Sequence, residues 1–255
     1  MADVAVVTLG AVQVAAVKPV AAVKPAAVQL TDSLWRVCNH PMRSNTYLLA
    51  APGSAGQGSA CAVIDPGLDQ AGLEQLLQTS GWHPAAVLCT HGHFDHVGGA
   101  AWLQQRYQVP VYLDAADLKL AKMSNFLMAA FKLKLRISLP EFSPISGEAA
   151  VTLAAGRRFC WHALPGHTPG SRAIAVDDLL FSGDSLYARR TALSQLPGED
   201  SAQLRASLTR LFGWVQDPVR VMPGHGDSAT VAQIRAHNHE LRAFMAAESA
   251  PCPAP

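Results

Sequence analysis

Charge is scarce in this chain of 255 residues. It has 20 Lys and Arg against 19 Asp and Glu, together 15% of the sequence, with a formal net charge of +1. So small a balance gives no overall attraction to nucleic acid or to an anionic membrane surface. Cysteine is sparse and scattered, at 38, 61, 89, 160 and 252, an odd five with no CxxC pair. That argues against a disulfide scaffold and fits a reducing cytoplasm. No apolar run approaches the roughly 20 residues of a membrane-spanning helix. What is abundant is hydrophobic side chain, 49% of the residues, enough for one sizeable core.

The first residues stand apart. VAAVKP occurs twice in tandem, at 14–19 and 20–25, in a tract of Ala, Val, Lys and Pro. A signal peptide places its positive charges before the apolar stretch, whereas Lys18 and Lys24 interrupt or follow it. The recurring prolines oppose a helix and a central strand. Residues 1–29 are expected to be a low-complexity, poorly ordered leader, with an edge-strand contribution as the alternative. A single domain over 30–248 and a tail over 249–255 complete the expected division.

From Leu34 the pattern becomes regular. LWRVC, NTYLLA, CAVID, AAVLCT and VPVYL read as strands, and the Gly/Ser-rich 51–60 as a flexible hairpin connection. Leu73, Leu76 and Leu77 mark a helix over about 69–80, and a further helix is expected over 95–107. RRFCWHAL, SRAIAV, DLLFSG and VRVM read as later strands. Asp200 or Ser201 caps a helix carrying Leu204, Leu208, Leu211 and Phe212, and a last helix is expected over 230–246. Two batches of strands, each followed by helices, predict two β-layers with helices outside.

Histidine is limited to 10 residues, yet three fall within six positions of T-H-G-H-F-D-H-V-G-G, at 90–99. His91 and His93 are two apart on an extended segment, so both rings project to one side. Asp95 and His96 follow where a helix begins. Zinc takes imidazole nitrogen and carboxylate oxygen, commonly four ligands. Four candidates so close together suggest two ions rather than one crowded site. LPGHTPGS adds His167, FSGDS adds Asp184 and MPGHGDS adds His225, each just after a predicted strand and flanked by glycine. His40, His83, His162, His237 and His239 match no such pattern and read as surface or packing residues.

These fragments, in this order, resemble the metallo-β-lactamase superfamily over roughly residues 34–245. The resemblance implies an α/β fold, a four-layer αβ/βα sandwich with the site at the sheet edges. It implies that His91, His93 and His167 bind one metal, that Asp95, His96 and His225 bind the other, and that Asp184 bridges the pair. Asp65, in VIDPG, falls at a nearby acidic position expected to orient a ligand. The implied cofactors are two zinc ions, with iron or manganese as alternatives. The implied chemistry is hydrolysis by a hydroxide that bridges the ions, with Asp95 orienting it and receiving its proton.

Within the superfamily, Asp184 resembles the bridging aspartate of the glyoxalase II, lactonase and RNA-processing branches. The zinc β-lactamases usually carry a cysteine or a non-ligand there. The spacing HTPGS…GDSLY…RRTALSQLPGE…PGHG is similar to the glyoxalase II-like (hydroxyacylglutathione hydrolase-like) thioester hydrolases. The implied partner is a small acyl thioester, and nucleic acid and membrane are not expected. Tyr187, Arg190, Phe126 and Phe131 are the candidate substrate contacts. The sequence departs from glyoxalase II in having only 30 residues after His225 and no tyrosine-bearing glutathione loop. In place of that loop stands LKLAKMSNFLMAAFKLKLR (118–136), with five basic residues and no acidic one. It reads either as a core-covering amphipathic helix or as a lid that meets an acidic acyl carrier protein, as in polyketide-associated acyl hydrolases. A lactonase, a mononuclear-iron persulfide dioxygenase and a non-catalytic binding module are the remaining alternatives.

Overall fold

Alternation along the strands decides the architecture. A computed structural model describes residues 27–51, 58–153, 156–191 and 198–247. The first sheet holds β1 (Ala27–Thr31), β2 (Leu34–Cys38), β3 (Asn45–Ala50), β4 (Ala60–Ile64), β5 (His83–Leu88), β6 (Val111–Asp114) and β7 (Phe142–Ile145), in that spatial order. β1 to β4 are antiparallel neighbours, and β4 to β7 run parallel. The second sheet holds β8 (Ala149–Thr152), β9 (Arg158–Ala163), β10 (Arg172–Val176), β11 (Leu179–Gly183), β12 (Arg220–Pro223) and β13 (Ala229–Thr230), in order 13-12-11-10-9-8.

Side chains one residue apart go to opposite faces of a strand. Leu49, Ile64 and Leu88 therefore meet Phe159, Trp161, Phe181 and Met222 between the sheets. Leu48, Val63 and Val87 face the other way, onto Leu73, Leu76 and Leu77 of α1 (Gln70–Ser80) and Leu103 of α3 (Ala100–Tyr107). In the second sheet Leu180 and Val221 face outward onto α6 (Ser201–Trp214), α7 (Val231–His237) and α8 (His239–Ala246), through Leu204, Leu208, Ile234 and Leu241. The result is the expected four-layer αβ/βα sandwich. Each fully buried leucine contributes about 1.5–3 kcal/mol.

Several expectations need correction. The helix over 95–107 is two helices, α2 (Phe94–Val97) and α3, divided at Gly98–Gly99. Gly99 there donates its backbone N–H to Pro66 O at 2.9 Å. The last helix is likewise two, α7 and α8, because the buried Asn238 side chain caps α8 by accepting from Leu241 N at 2.9 Å. β1 begins at Ala27 and pairs with β2, so the segment read as leader gives its last three residues to an edge strand. The poorly ordered leader otherwise lies outside the described residues, as do most of the 51–60 connection and the 249–255 tail. β3 and β4 do pair as the hairpin that connection implies.

β7, β8 and β13 were not foreseen. Pro144 sits in β7, at the sheet edge, where a missing donor is tolerated. Segment 118–136 is not one helix but α4 (Leu118–Lys122) and α5 (Ser124–Ala130), broken at Met123. Among the described residues no helix is long and apolar enough to cross a membrane.

Candidate metal centre

β4, β5, β9, β11 and β12 all deliver their carboxyl ends to one edge of the sandwich, the usual place for a site in open sheets. Asp65 follows β4, the His91–His96 loop follows β5, His167 follows β9, Asp184 closes β11 and His225 follows β12. Six of the seven predicted ligands are buried, and the His225 side chain is 15% exposed.

The first group is His91, His93 and His167. His93 Nδ1 lies 3.1 Å from His91 Nε2 and 3.0 Å from His167 Nε2. Ligand atoms about 2.0–2.1 Å from a tetrahedral zinc would stand about 3.3 Å apart. Hydrogen bonds behind the rings fix two of the tautomers. The Thr90 hydroxyl gives its one proton to Asp65 Oδ2 at 2.7 Å, so Thr90 Oγ1 must accept from His91 Nδ1–H at 3.0 Å. His167 Nδ1–H donates to Glu199 Oε1 at 3.0 Å. The Nε2 atom of His91, whose ring is kept neutral by burial, is therefore a bare lone pair. Three ring nitrogens converging in this way fit a cation.

The second group is Asp95, His96 and His225. Asp95 Oδ2 lies 3.3 Å from His225 Nε2 and 3.7 Å from His96 Nε2. Asp184 stands between the groups. Its Oδ1 is 3.5 Å from His96 Nε2, and its Oδ2 is 3.3 Å from His225 Nε2 and 3.8 Å from His167 Nε2. His96 Nε2 and Asp184 Oδ1 are buried without a hydrogen-bond partner among the described residues. Two such atoms aimed at each other fit a cation between them. A Cβ on Gly224 would fall 2.0 Å from Asp184 Oδ1 and 2.7 Å from His96 Cε1, so only glycine leaves room for this arrangement.

Asp65, His91 and His96 also approach one another closely enough to suggest a third group. Ordinary hydrogen bonds account for it. Asp65 accepts from Thr90 N and Thr90 Oγ1 at 2.7 Å each and from His96 Nδ1 at 3.1 Å, and so fixes the His96 ring.

Electrostatics separate the two groups. Burial and the neighbouring imidazoles push His91 well down, and burial with His167 pushes His93 down to about 4. Burial also opposes charge on His96 and His225, but Asp184 and Asp95 outweigh it and hold them up at about 9 and about 10. Burial likewise opposes the charged form of Asp184 and Asp95, yet the facing imidazoles keep both below the ordinary carboxylate range.

Two residues that the sequence does not mark hold the candidate ligands in place. Glu199 orients His167, and the backbone N–H of the next residue, Asp200, donates to Gly166 O at 2.7 Å, tying the histidine loop to α6. Asp117 is fully buried and accepts from Gly92 N (2.8 Å), Gly170 N (2.7 Å) and Thr168 Oγ1 (2.7 Å). It therefore clamps the His91–His93 loop to the His167 loop. Nothing in the local sequence marks either acid.

The candidate substrate contacts divide. Tyr187 is buried, burial and the neighbouring Asp184 carboxylate push its phenol well up, and Arg190 lies 4.6 Å over its ring. Phe131 packs on Phe94, next to the ligand loop, at 5.8 Å. Phe126 points outward, 68% exposed, and is not brought to the site. His162 stacks on Trp214 at 4.5 Å, as a packing residue would.

The model of the Metallo-beta-lactamase superfamily matches residues 41–225. The chain is 34% identical over 180 residues to a hydroxyacylglutathione hydrolase of Alkalilimnicola ehrlichii, covering 70% of this chain and 61% of that one. It is 30% identical over 187 residues to the probable polyketide biosynthesis zinc-dependent hydrolase BaeB of Bacillus velezensis, covering 73% and 75%. The crystal structure of TTHA1623 in a di-iron-bound form superposes with a TM-score of 0.70 at 33% identity, covering 80% of this chain and 98% of that one. By sequence, fold and ligand geometry together, this chain belongs to the metallo-beta-lactamase superfamily.

Proposed function

We propose that the protein is a hydrolase of acyl thioesters that works with two metal ions, in the hydroxyacylglutathione hydrolase-like branch of its superfamily. The observation that carries this reading is Asp184, whose two carboxylate oxygens face ligand nitrogens of both groups. Metal ions bound at two such adjacent groups would supply polarisation of an acyl oxygen and a lowered pKa for water. His91, His93 and His167 would hold one ion and Asp95, His96 and His225 the other. Zinc suits this nitrogen and oxygen set, and iron is the alternative that the di-iron relative suggests.

Asp95 Oδ2 faces His225 and His96, which leaves Oδ1 to hold the attacking water by a hydrogen bond and take its proton. A departing thiolate, with a conjugate pKa near 8.5, leaves without prior protonation, so the site needs no second acid. The test is a panel of glutathione, coenzyme A and carrier-bound thioesters, assayed with metal content measured on the same sample. Turnover of thioesters with two ions per chain supports the reading. Lactone turnover in its place, or one iron with oxygen consumption, replaces it with the lactonase or the dioxygenase.

A second reading concerns the thiol. Lys119, Lys122, Lys132, Lys134 and Arg136 are exposed on 118–136, while Ala121 and Met128 of the same segment are buried. Part of the segment thus covers the core, and its outer face is basic. With BaeB among the relatives, this supports an acidic acyl carrier protein as the donor of the acyl group. Changing Lys132, Lys134 and Arg136 together to Glu should slow hydrolysis of carrier-bound thioesters and leave a short synthetic thioester unaffected. Equal effects on both would return the segment to a core cover.

A further inference from the structure

Beside the metal centre opens a cavity of about 380 Å³, lined in part by Arg36, Arg43, Asn45, Arg190, His225 and Asp227. His225 belongs to both, so whatever fills the cavity sits against the ligand set. The charge around its wall is lopsided. Arg36 spends its guanidinium on Asp227 Oδ1 and on Gly226 O, each at 3.1 Å. Arg43 and Arg190 have no carboxylate partner among the described residues.

Both free guanidiniums are held at the cavity by the fold. Arg190 lies over the Tyr187 ring, which restrains its plane and leaves its N–H edge for a ligand. The backbone from Tyr187 to Arg190 is pinned by Asn238, whose amide donates to Tyr187 O at 3.0 Å and Arg190 O at 3.1 Å. Arg43 occupies a left-handed position, φ 61°, in the loop between β2 and β3. Asn39 braces that loop, accepting from Arg43 N at 2.6 Å and donating from its amide to Ser44 O at 2.9 Å. Such a position favours glycine or asparagine, so an arginine there is kept at a cost in backbone strain.

We infer that this cavity binds an oxyanion group, carboxylate or phosphate, on the arm of the substrate remote from the scissile acyl bond, with Arg43 and Arg190 as its partners. The inference rests on the acyl-hydrolase reading above for what lies at the other end of the molecule. Planar guanidiniums grip both oxyanions through paired N–H donors. The volume falls near the lower end of the roughly 300–1,000 Å³ of small-ligand pockets, which suits the arm of a small molecule and not the face of a protein.

The experiment measures binding rather than turnover. Three alkyl thioethers, alike except for a terminal carboxylate, phosphate or carboxamide, are titrated calorimetrically into the metal-loaded protein and into its R43Q/R190Q variant. At least one anionic probe should bind tenfold or more tightly than the carboxamide, and whichever does identifies the oxyanion. In the variant the preference should shrink to within about twofold, with metal content and melting temperature unchanged. Should the double variant not fold, Arg43→Gln alone, at an exposed loop position, should lose at least half of the preference on a logarithmic scale. Equal binding of all three probes to the unaltered protein overturns the inference, as does a preference that survives the substitutions. Because thioethers are not hydrolysed, a chain that turns over no thioester leaves this result readable.

Discussion

The two ligand groups share a wall and differ in chemistry. The rings of His91 and His96, one from each group, have centroids 4.2 Å apart. Yet burial and neighbouring imidazoles depress His91 and His93, whereas the facing carboxylates raise His96 and His225. In the first group, His91 and His93 are held neutral at pH 7. The second holds protons between its carboxylates and imidazoles, and an arriving cation must displace them. Neighbouring groups that both rely on imidazole thus have different proton costs, and the difference lies in where the aspartates stand.

The largest effect is expected at Asp184, the side chain that faces both groups. Asp184→Asn should cost more than 10²-fold in turnover and lower the metal content of both groups, since it removes charge from the wall they share; loss of an orienting partner alone costs about 10–100-fold. Metal analysis beside kinetics checks it, and two tightly held ions in the variant would contradict the shared role.

Asp95→Asn touches one group only. Turnover should fall on the order of 10²-fold, the usual scale of acid–base contributions, while the imidazole group keeps its ion. Near-normal turnover with both ions retained would remove the proton-accepting role.

Smaller effects sharpen the contrast. Glu199→Gln should weaken metal affinity about 10–100-fold at the imidazole group alone, because Glu199 orients only His167. Asp65→Asn should weaken both groups by a similar factor, because Asp65 holds His96 directly and His91 through Thr90. Competition with a chromophoric chelator separates the two patterns.

Much of this was legible in the sequence because it is local. HGHFDH, GHT, GDS and PGHG each carry a ligand on a short loop after a strand, and the period-two strands that aim those loops are local as well. The helix breaks at Gly98–Gly99 and Asn238 were visible as residues but not as breaks, because contacts from elsewhere decide them, including those to Pro66, Tyr187 and Arg190. β1 begins just after the last proline of the repeat, at Pro25, where β-branched and extended residues take over. Glu199, Asp117 and Arg43 could not be read at all. Each acts on a partner remote in the chain or at a loop whose conformation only the assembled fold sets. A lone acidic or basic residue in a loop carries no periodic signal.

The two groups should differ most plainly in the protons that an arriving cation displaces. Calorimetric titration of metal into the chelator-treated protein at pH 7, in buffers of different ionisation enthalpy, counts the protons released at each step. His93, at about 4, is already deprotonated there and releases none. His96 and His225, at about 9 and about 10, are protonated below those values and must each give up a proton, so affinity at their group rises with pH by roughly ten- to a hundredfold per unit. Two ions per chain are expected, one bound with almost no proton release and one with one to two protons released. A single ion per chain, or equal proton release at both steps, would contradict this expectation.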